Sequence, residues 1–388
     1  MIDRARPRYI TDDMYDIKML DVVEEHGSLY FTYSHDGFRF FLEKYNAYYN
    51  KRARVAIQDY TCSSMLEAII KSGSIAYIFD VSLEDASLLY DEVYEKADEL
   101  DVIVLTHYQG VPNKDYIRFA SLSKKNNIIL FEDLAHITES YTDGIRIGSL
   151  GNVYLESYRF DKPFVAIRGG ALHVNSLDPG FEEYLWEKYI IIPKERENKA
   201  KKDLILLRFL MEYTKPGNYY EDIDHSLFIG FPQLMFLYNR GLWKNRVVRK
   251  IIALYARTCG YLCRKVFKER KIRRANELRI AFVQKQREFY ETLNKKSDDY
   301  KTYFEIKERE LGKGGDIIKW NRYSIIDEDN KVENCLRMKG ICAGRYNWSS
   351  TLSDHVNKRN SRQIIIFSNK NSKYLKAHMI NIPVWQLD

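Results

Sequence analysis

The sequence predicts an α/β protein: a three-layer domain built on a mostly parallel seven-stranded sheet, followed by a smaller α+β domain. Three observations carry this. The chain has 388 residues, more than one small core accommodates. Short, continuous apolar runs alternate with longer amphipathic stretches through its first half, as expected for strands covered on both faces. That alternation, at this spacing, calls for right-handed crossovers between parallel strands.

The elements follow in order. "SLYFTY" (28–33) reads as a strand and "GFRFFLEKYNAYY" as a helix. "RVAIQ" (54–58) and "IAYIFD" (75–80) are strands, separated by the helix "SSMLEAIIKSG". "EDASLLYDEVYEKADEL" (84–100) reads as one long helix, "DVIVLTH" (101–107) as a strand and "NKDYIRFASLSKKN" as a helix. "IILFED" (128–133), "NVYLESY" (152–158) and "ALHVN" (171–175) complete the seven strands. Residues 178–213 read as helical, and a further helix is predicted over about 275–294. The expected division is 1–224 as the large domain, 225–274 as a basic amphipathic helical segment and 275–388 as the small domain.

Composition narrows the class. With 45% apolar and 30% charged residues, the chain is that of a soluble globular protein. No run of eighteen uncharged apolar residues predicts a membrane span. The opening "MIDRARPRYITDD" lacks the apolar centre of a signal peptide, so a cytoplasmic protein is expected. Five scattered cysteines fit reduced thiols. Cys259 and Cys263 sit four apart with no second pair nearby, so no metal site is expected.

The charge is concentrated. From Tyr238 to Arg274 thirteen Lys or Arg face one acid, Glu269, a net +12. The whole chain is +7, which leaves −5 for the remainder. Trp243, Val247, Ile251 and Tyr255 recur at helical spacing among these cations. Such a segment is a solvated face, a contact with an anionic membrane surface at the inner face of the membrane, or a binding surface for a phosphate-rich substrate or another protein. Nothing resembles a nucleic-acid recognition fold, so no nucleic-acid partner is expected.

The candidate chemistry lies between 107 and 170. Parallel sheets bind ligands beyond the carboxyl ends of their strands. His107, Asp133 and Ser157 all fall at or just after such ends, and Lys162 follows five residues after Ser157. A lysine, a strand-tip carboxylate, a histidine (His136) and a hydroxyl are what pyridoxal phosphate (PLP) needs: an amine for its aldehyde, an acid for its ring nitrogen and donors for its phosphate. The plain alternatives are a loop lysine in solvent, a strand-end cap and a satisfied core histidine. Gly169 and Gly170 let the backbone turn without a side chain in the way.

The order of these residues resembles the DegT family of sugar aminotransferases, within the aspartate aminotransferase-like fold type I PLP superfamily. The resemblance runs over about seventy residues. It comprises His107 and Gly110, Glu132-Asp133-Leu134-Ala135-His136, Gly148 with Gly151-Asn152, Ser157-Tyr158 with Lys162, and Gly169-Gly170. It implies that Lys162 forms the Schiff base and acts as acid and base. It implies that Asp133 pairs with the pyridine nitrogen, that His136 lies near the ring hydroxyl and that Ser157 binds phosphate. Some relatives carry His in place of this Lys and are sugar dehydratases, so Lys162 favours transamination.

Upstream, Ser34 stands where the family opens its phosphate cradle, with Asp36 beside it as either an awkward neighbour of phosphate or a helix cap. Tyr60 is the nearest ring for stacking on PLP, although Cys62 is an alternative occupant of that position. The family's Asn-Tyr-Arg motif is missing, and Arg168 replaces a common Glu before the paired glycines. The implied activity is transfer of an amino group from glutamate to a nucleotide-linked keto sugar, for surface polysaccharide or amino-sugar synthesis, by a homodimer. The alternatives are a PLP enzyme acting on a non-sugar carbonyl and a non-catalytic, membrane-associated fold-alike.

Overall fold

The computed structural model describes residues 14, 27–137, 140–159, 162–213, 247, 271–292, 322–338 and 350–383. Eight strands form the main sheet in the order β1-β9-β8-β5-β4-β2-β3-β11. They are β1 (Ser28–Phe31), β2 (Arg54–Gln58), β3 (Ile75–Phe79), β4 (Val102–Thr106), β5 (Ile129–Asp133), β8 (Val153–Ser157), β9 (Gly170–Val174) and β11 (Ile364–Ile366). Strands from β8 to β11 of that order are parallel, while β9 pairs antiparallel with both β8 and β1. The seven strands read from the sequence are all present. The eighth is β11, a three-residue run contributed from near the end of the chain. A small hairpin, β6 (Tyr141–Thr142) with β7 (Ile145–Arg146), follows β5.

Helices cover both faces. On one lie α1 (Ser34–Tyr48), α2 (Ser63–Lys71) and α5 (Pro179–Ile190). Their apolar stripes bury Phe38, Phe41, Ile69, Phe181 and Leu185 against Val104, Phe131 and Leu155 of the sheet. Phe131 sits between two α1 rings, with centroids 4.6 Å from Phe38 and 5.6 Å from Phe41. The opposite face packs Tyr116, Phe119 and Leu122 of α4 (Tyr116–Asn126) on Ile103, Leu105 and Leu130. These faces account for the continuous apolar strands, since neither side of β4 meets water.

Residues 84–100 depart from the single helix expected there. Only Tyr90–Tyr94 (α3) and a 3₁₀ turn at Ala97–Glu99 are helical. Asp85 is the reason: its carboxylate accepts bonds from the N–H and the hydroxyl of Ser87 and from the N–H of Lys114. A short acid that bonds the backbone two residues on makes a turn in preference to a helix. Helicity over 178–213 likewise divides into α5 and α6 (Glu197–Tyr213), with Pro193 between them.

The C-terminal residues dock at the carboxyl ends of β2 and β3. Asp59 accepts from the N–H (2.6 Å) and hydroxyl (3.0 Å) of Ser353. Asp80 accepts from the N–H groups of Asn371 and Ser372 and from the Ser372 hydroxyl, at the start of α9 (Lys370–His378). β10 (Arg322–Ile326) and β12 (Met379–Pro383) pair antiparallel, and α8 (Lys331–Met338) follows β10. A further helix, α7 (Glu277–Thr292), packs on the loop between β8 and β9. Most of the basic segment, including Cys259 and Cys263, lies outside the described residues. Its described end, 271–274, is extended, and the Arg274 N–H donates to the carbonyl of Pro193.

The chain turns back from β8 into β9 at the carboxyl edge of the sheet, which places the loop 158–169 there. Gly170 faces α1 at close range. A Cβ on it would stand 2.5 Å from Ser34 Cα and 2.6 Å from the Glu156 carbonyl oxygen, both backbone atoms that cannot swing aside. Gly170→Ala is therefore expected to cost about 1–3 kcal/mol by overpacking, read as a lower urea midpoint at unchanged m-value.

Candidate active site

A cavity of about 320 Å³ opens where β4, β5 and β8 end and α1 begins. Ser34, Asp133, His136, Ser157 and Lys162 line it, along with His107, Cys62 and Thr106. Five of the six residues singled out in the sequence thus converge, drawn from four separate stretches. The sixth, Tyr60, does not line the cavity. Its ring is buried beside Tyr108, centroids 5.7 Å apart, and its hydroxyl donates to the Met379 sulfur. Cys62, the residue immediately before α2, occupies the wall instead. Asp36 is also absent from the lining: it is buried in the first turn of α1, and Tyr33 is the N-cap residue.

Each side chain has a local cause for its position. Asp133 ends β5, opposite Thr106 of β4 and Leu155 of β8. One Asp133 carboxylate oxygen accepts the N–H of Ala135 at 3.0 Å. Burial pushes the Asp133 pKa up, against the pull of the Ala135 N–H, the Lys162 and His107 charges and the Thr106 hydroxyl. A carboxylate in that state is stabilised by any cation placed beside it. Ser34 and Ser157 meet at the opposite end, Oγ to Oγ 3.2 Å, where α1 starts. A helix N-terminus with two hydroxyls is a ready anion site. The His136 Nδ1 accepts the Gln109 N–H at 3.1 Å. In the neutral ring the proton is then on Nε2.

Behind the cavity, Glu132 is fully buried and accepts four bonds: from His107 Nε2, the Tyr116 hydroxyl and the N–H groups of Gly148 and Gly151. Strand alternation sends it to the face opposite Asp133. Gly151 must lack a side chain, since a Cβ there would stand 2.6 Å from Glu132 Oε1. The bonds from His107 and the two glycine amides tie the ends of β4 and β5 to the turn before β8. Glu132→Ala is expected to destabilise the fold by about 3–5 kcal/mol, because it strands four buried donors; calorimetry checks this.

Arg168, noted in the sequence only as a departure, lines the cavity, and two residues behind the wall, Arg279 and Gln286, escaped the sequence reading. The Arg168 Nη1 donates to the Tyr33 hydroxyl at 2.6 Å, and its Nε lies 2.9 Å from Asp203 Oδ2. Arg279 and Gln286 of α7 reach the loop after Lys162. Their signal was present: polar residues at i and i+7 on the helical stripe that also carries Phe282 and Val283.

Glu156, beside Ser157 but on the other face of β8, bonds Tyr158, His173 and Arg287. Burial works to raise its pKa, but the Arg287 and His173 charges, with the Tyr158 hydroxyl, outweigh it and hold the carboxyl below its ordinary value of 4.5. A folded pKa below the unfolded one adds stability above pH 4.5, lost as the pH falls through the folded value. Glu156→Gln is expected to flatten the decline in Tm below pH 4.5 and to lower Tm at neutral pH.

Comparison with known proteins agrees with this geometry. The model of the DegT/DnrJ/EryC1/StrS aminotransferase family matches residues 42–185. That segment spans Cys62, His107, Asp133, His136, Ser157 and Lys162. A comparison with curated proteins finds no match. Among solved structures, a DegT-family aminotransferase from Brucella abortus is similar at 14% identity and a TM-score of 0.56, over 92% of this chain and 80% of that one. The sugar aminotransferase CalS13 from Micromonospora echinospora is similar at 15% identity and 0.60, over 93% and 83%. GDP-4-keto-6-deoxy-D-mannose-3-dehydratase from E. coli, with bound hydrated PLP, is similar at 11% and 0.59, over 96% and 85%. At these identities the structures establish the fold, the family match adds the chemistry, and the chain is a PLP-dependent aminotransferase.

The donor set fits the cofactor. The cavity offers a lysine amine, a carboxylate and a hydroxyl pair at a helix start. The last forms a cradle that any side chain at Gly170 would fill.

Proposed function

We propose that the cavity transfers an amino group from glutamate to a keto sugar, nucleotide-linked, with PLP held by the residues that line it. The observation that carries this is the joint presence of Lys162, Asp133 and the Ser34–Ser157 pair in one cavity. PLP, when bound, supplies an electron sink for the bond electrons of the donor's α-carbon.

The chain's residues supply the rest. Lys162 would be the amine that holds the cofactor's aldehyde carbon and, as a free amine, the base placed to move the proton at the reacting carbon. Asp133 would keep a proton on the ring nitrogen: burial still holds its pKa up despite the Lys162 and His107 charges, so its carboxylate gains from a further N–H⁺ beside it. Ser34, Ser157 and the first turn of α1 hold the phosphate. His136, whose Nδ1 accepts the Gln109 N–H, would stand beside the ring hydroxyl in the cavity wall. The roof of Arg168 and Ile167 closes the wall beside Lys162 and keeps water from it.

Support for the sugar comes from the relatives: CalS13 is named a sugar aminotransferase, and the E. coli dehydratase is named for a nucleotide-linked keto sugar. A homodimer is proposed on the family likeness, with the partner completing the substrate side.

Two measurements test the reading. Purified protein given PLP is expected to show a visible absorbance band that Lys162→Ala removes, along with about 10²–10⁴-fold of the turnover. Asp133→Asn is expected to retain PLP yet lose turnover by a similar factor, since the ring nitrogen is no longer held protonated. A band unaltered in Lys162→Ala would sink the assignment. Glutamate with a panel of nucleotide-linked keto sugars then identifies the acceptor, and turnover confined to non-sugar ketones would replace it.

A further inference from the structure

The loop that follows Lys162 has an uncommon backbone. Ile167 adopts φ +64°, a left-handed conformation that β-branched residues rarely take. It is buried, and it lines the cavity. Left to itself such a residue relaxes toward extended backbone, so something must hold it.

Helix α7 does so from behind. Arg279 is 1% exposed. Its Nη1 donates to the carbonyls of Ala166 and Arg168, the residues on either side of Ile167. Two carbonyls two residues apart can reach one nitrogen only while the residue between them is turned. The rest of the guanidinium is fixed by acids: Nε and Nη2 reach Glu195 at 2.7 and 3.0 Å, and Nη2 reaches Asp203 at 2.8 Å. One helical turn pair further along, Gln286 takes both backbone groups of Val165, accepting its N–H at 3.0 Å and donating to its carbonyl at 2.8 Å. Buried Arg279 is therefore neutralised, planar and aimed, and the backbone from 165 to 168 is templated against α7.

We propose that Arg279 is a positioning residue for the cofactor site: it keeps Ile167 in its left-handed turn and so sets the cavity wall and the course of the loop bearing Lys162. Arg279 does not line the cavity; it acts through the backbone of 166–168. The backbone half of this claim is independent of what the cavity binds, and the cofactor half rests on the PLP reading.

The test compares full-length wild type, Arg279→Gln, Ile167→Gly and the double variant. Amide hydrogen exchange over 162–168 is followed without cofactor, and PLP is titrated by its visible absorbance. Arg279→Gln is expected to speed exchange at 165–168 about tenfold and to weaken PLP binding about tenfold. Glycine takes a positive φ without strain. Ile167→Gly in the Arg279→Gln background should accordingly return both readouts toward those of Ile167→Gly alone, a rescue that no general loss of stability produces. If Arg279→Gln does not fold, Arg279→Lys, which keeps the charge but not the planar fork, replaces it in the same comparison. Wild-type exchange or wild-type PLP affinity in the folded Arg279 variant overturns the proposal, as does a double variant no better than the single. A wild type that binds no PLP, with the exchange pattern as expected, removes the cofactor reading and leaves the clamp intact.

Discussion

The contact on which the cavity depends is between two backbones. β9 begins at Gly170, and the start of α1 lies so close that Ser34 Cα and an absent Cβ at 170 would share the same space. Because nothing intervenes, the helix start is brought against Ser157, which pairs with Gly170 across β8 and β9. Phosphate-sized anions are held by amide and hydroxyl groups only at short range, so this approach sets the depth of the site. The antiparallel return of β9 is equally needed. It reverses the chain at the carboxyl edge of the sheet and suspends Lys162 over the tips of β5 and β8, where a parallel crossover would have carried it away.

Around that contact, the network is layered by charge. Glu132 on the far face of β5 gathers donors from β4, α4 and the turn before β8. Glu156 does the same on β8 with Tyr158, His173 and Arg287. The Tyr158 hydroxyl donates to Glu156 and accepts from Arg287. The tips of β5 and β8 each present one polar group to the cavity and hold a hydrogen-bonded carboxylate on the opposite face, which stiffens the tip.

The sheet and the cofactor end of the cavity were legible in the sequence because both are written locally. Apolar runs give strands, and strand ends give the place of Asp133 and Ser157. What was not legible depends on long-range closure. Whether Tyr60 or Cys62 faces the cavity is decided by how the turn after β2 meets Tyr108 and Met379, and Met379 is far along the chain. The helix read over 84–100 failed because Asp85 found a partner at Lys114, beyond any local window. Arg279 showed only as a polar residue on an apolar stripe; its meaning needed the carbonyls of the β8–β9 loop. Arg168, noted as a departure, proves to be bonded to Tyr33 at the start of α1 and paired with Asp203 of α6.

The placement of β11 bears on how the chain assembles. Its three residues pair with β3 in parallel register, Ile364 with Ala76, so the two halves of one ladder are separated by nearly the whole protein. Until residues 353–372 have been made, β3 is left as a bare outer edge, and Asp59 and Asp80 lack the bonds they accept from Ser353, Asn371 and Ser372. Nascent chains halted before that point would present a flat, aliphatic rim to their neighbours, a template for unwanted pairing. The stretch 364–366 therefore serves as the seal on a surface formed earlier in synthesis.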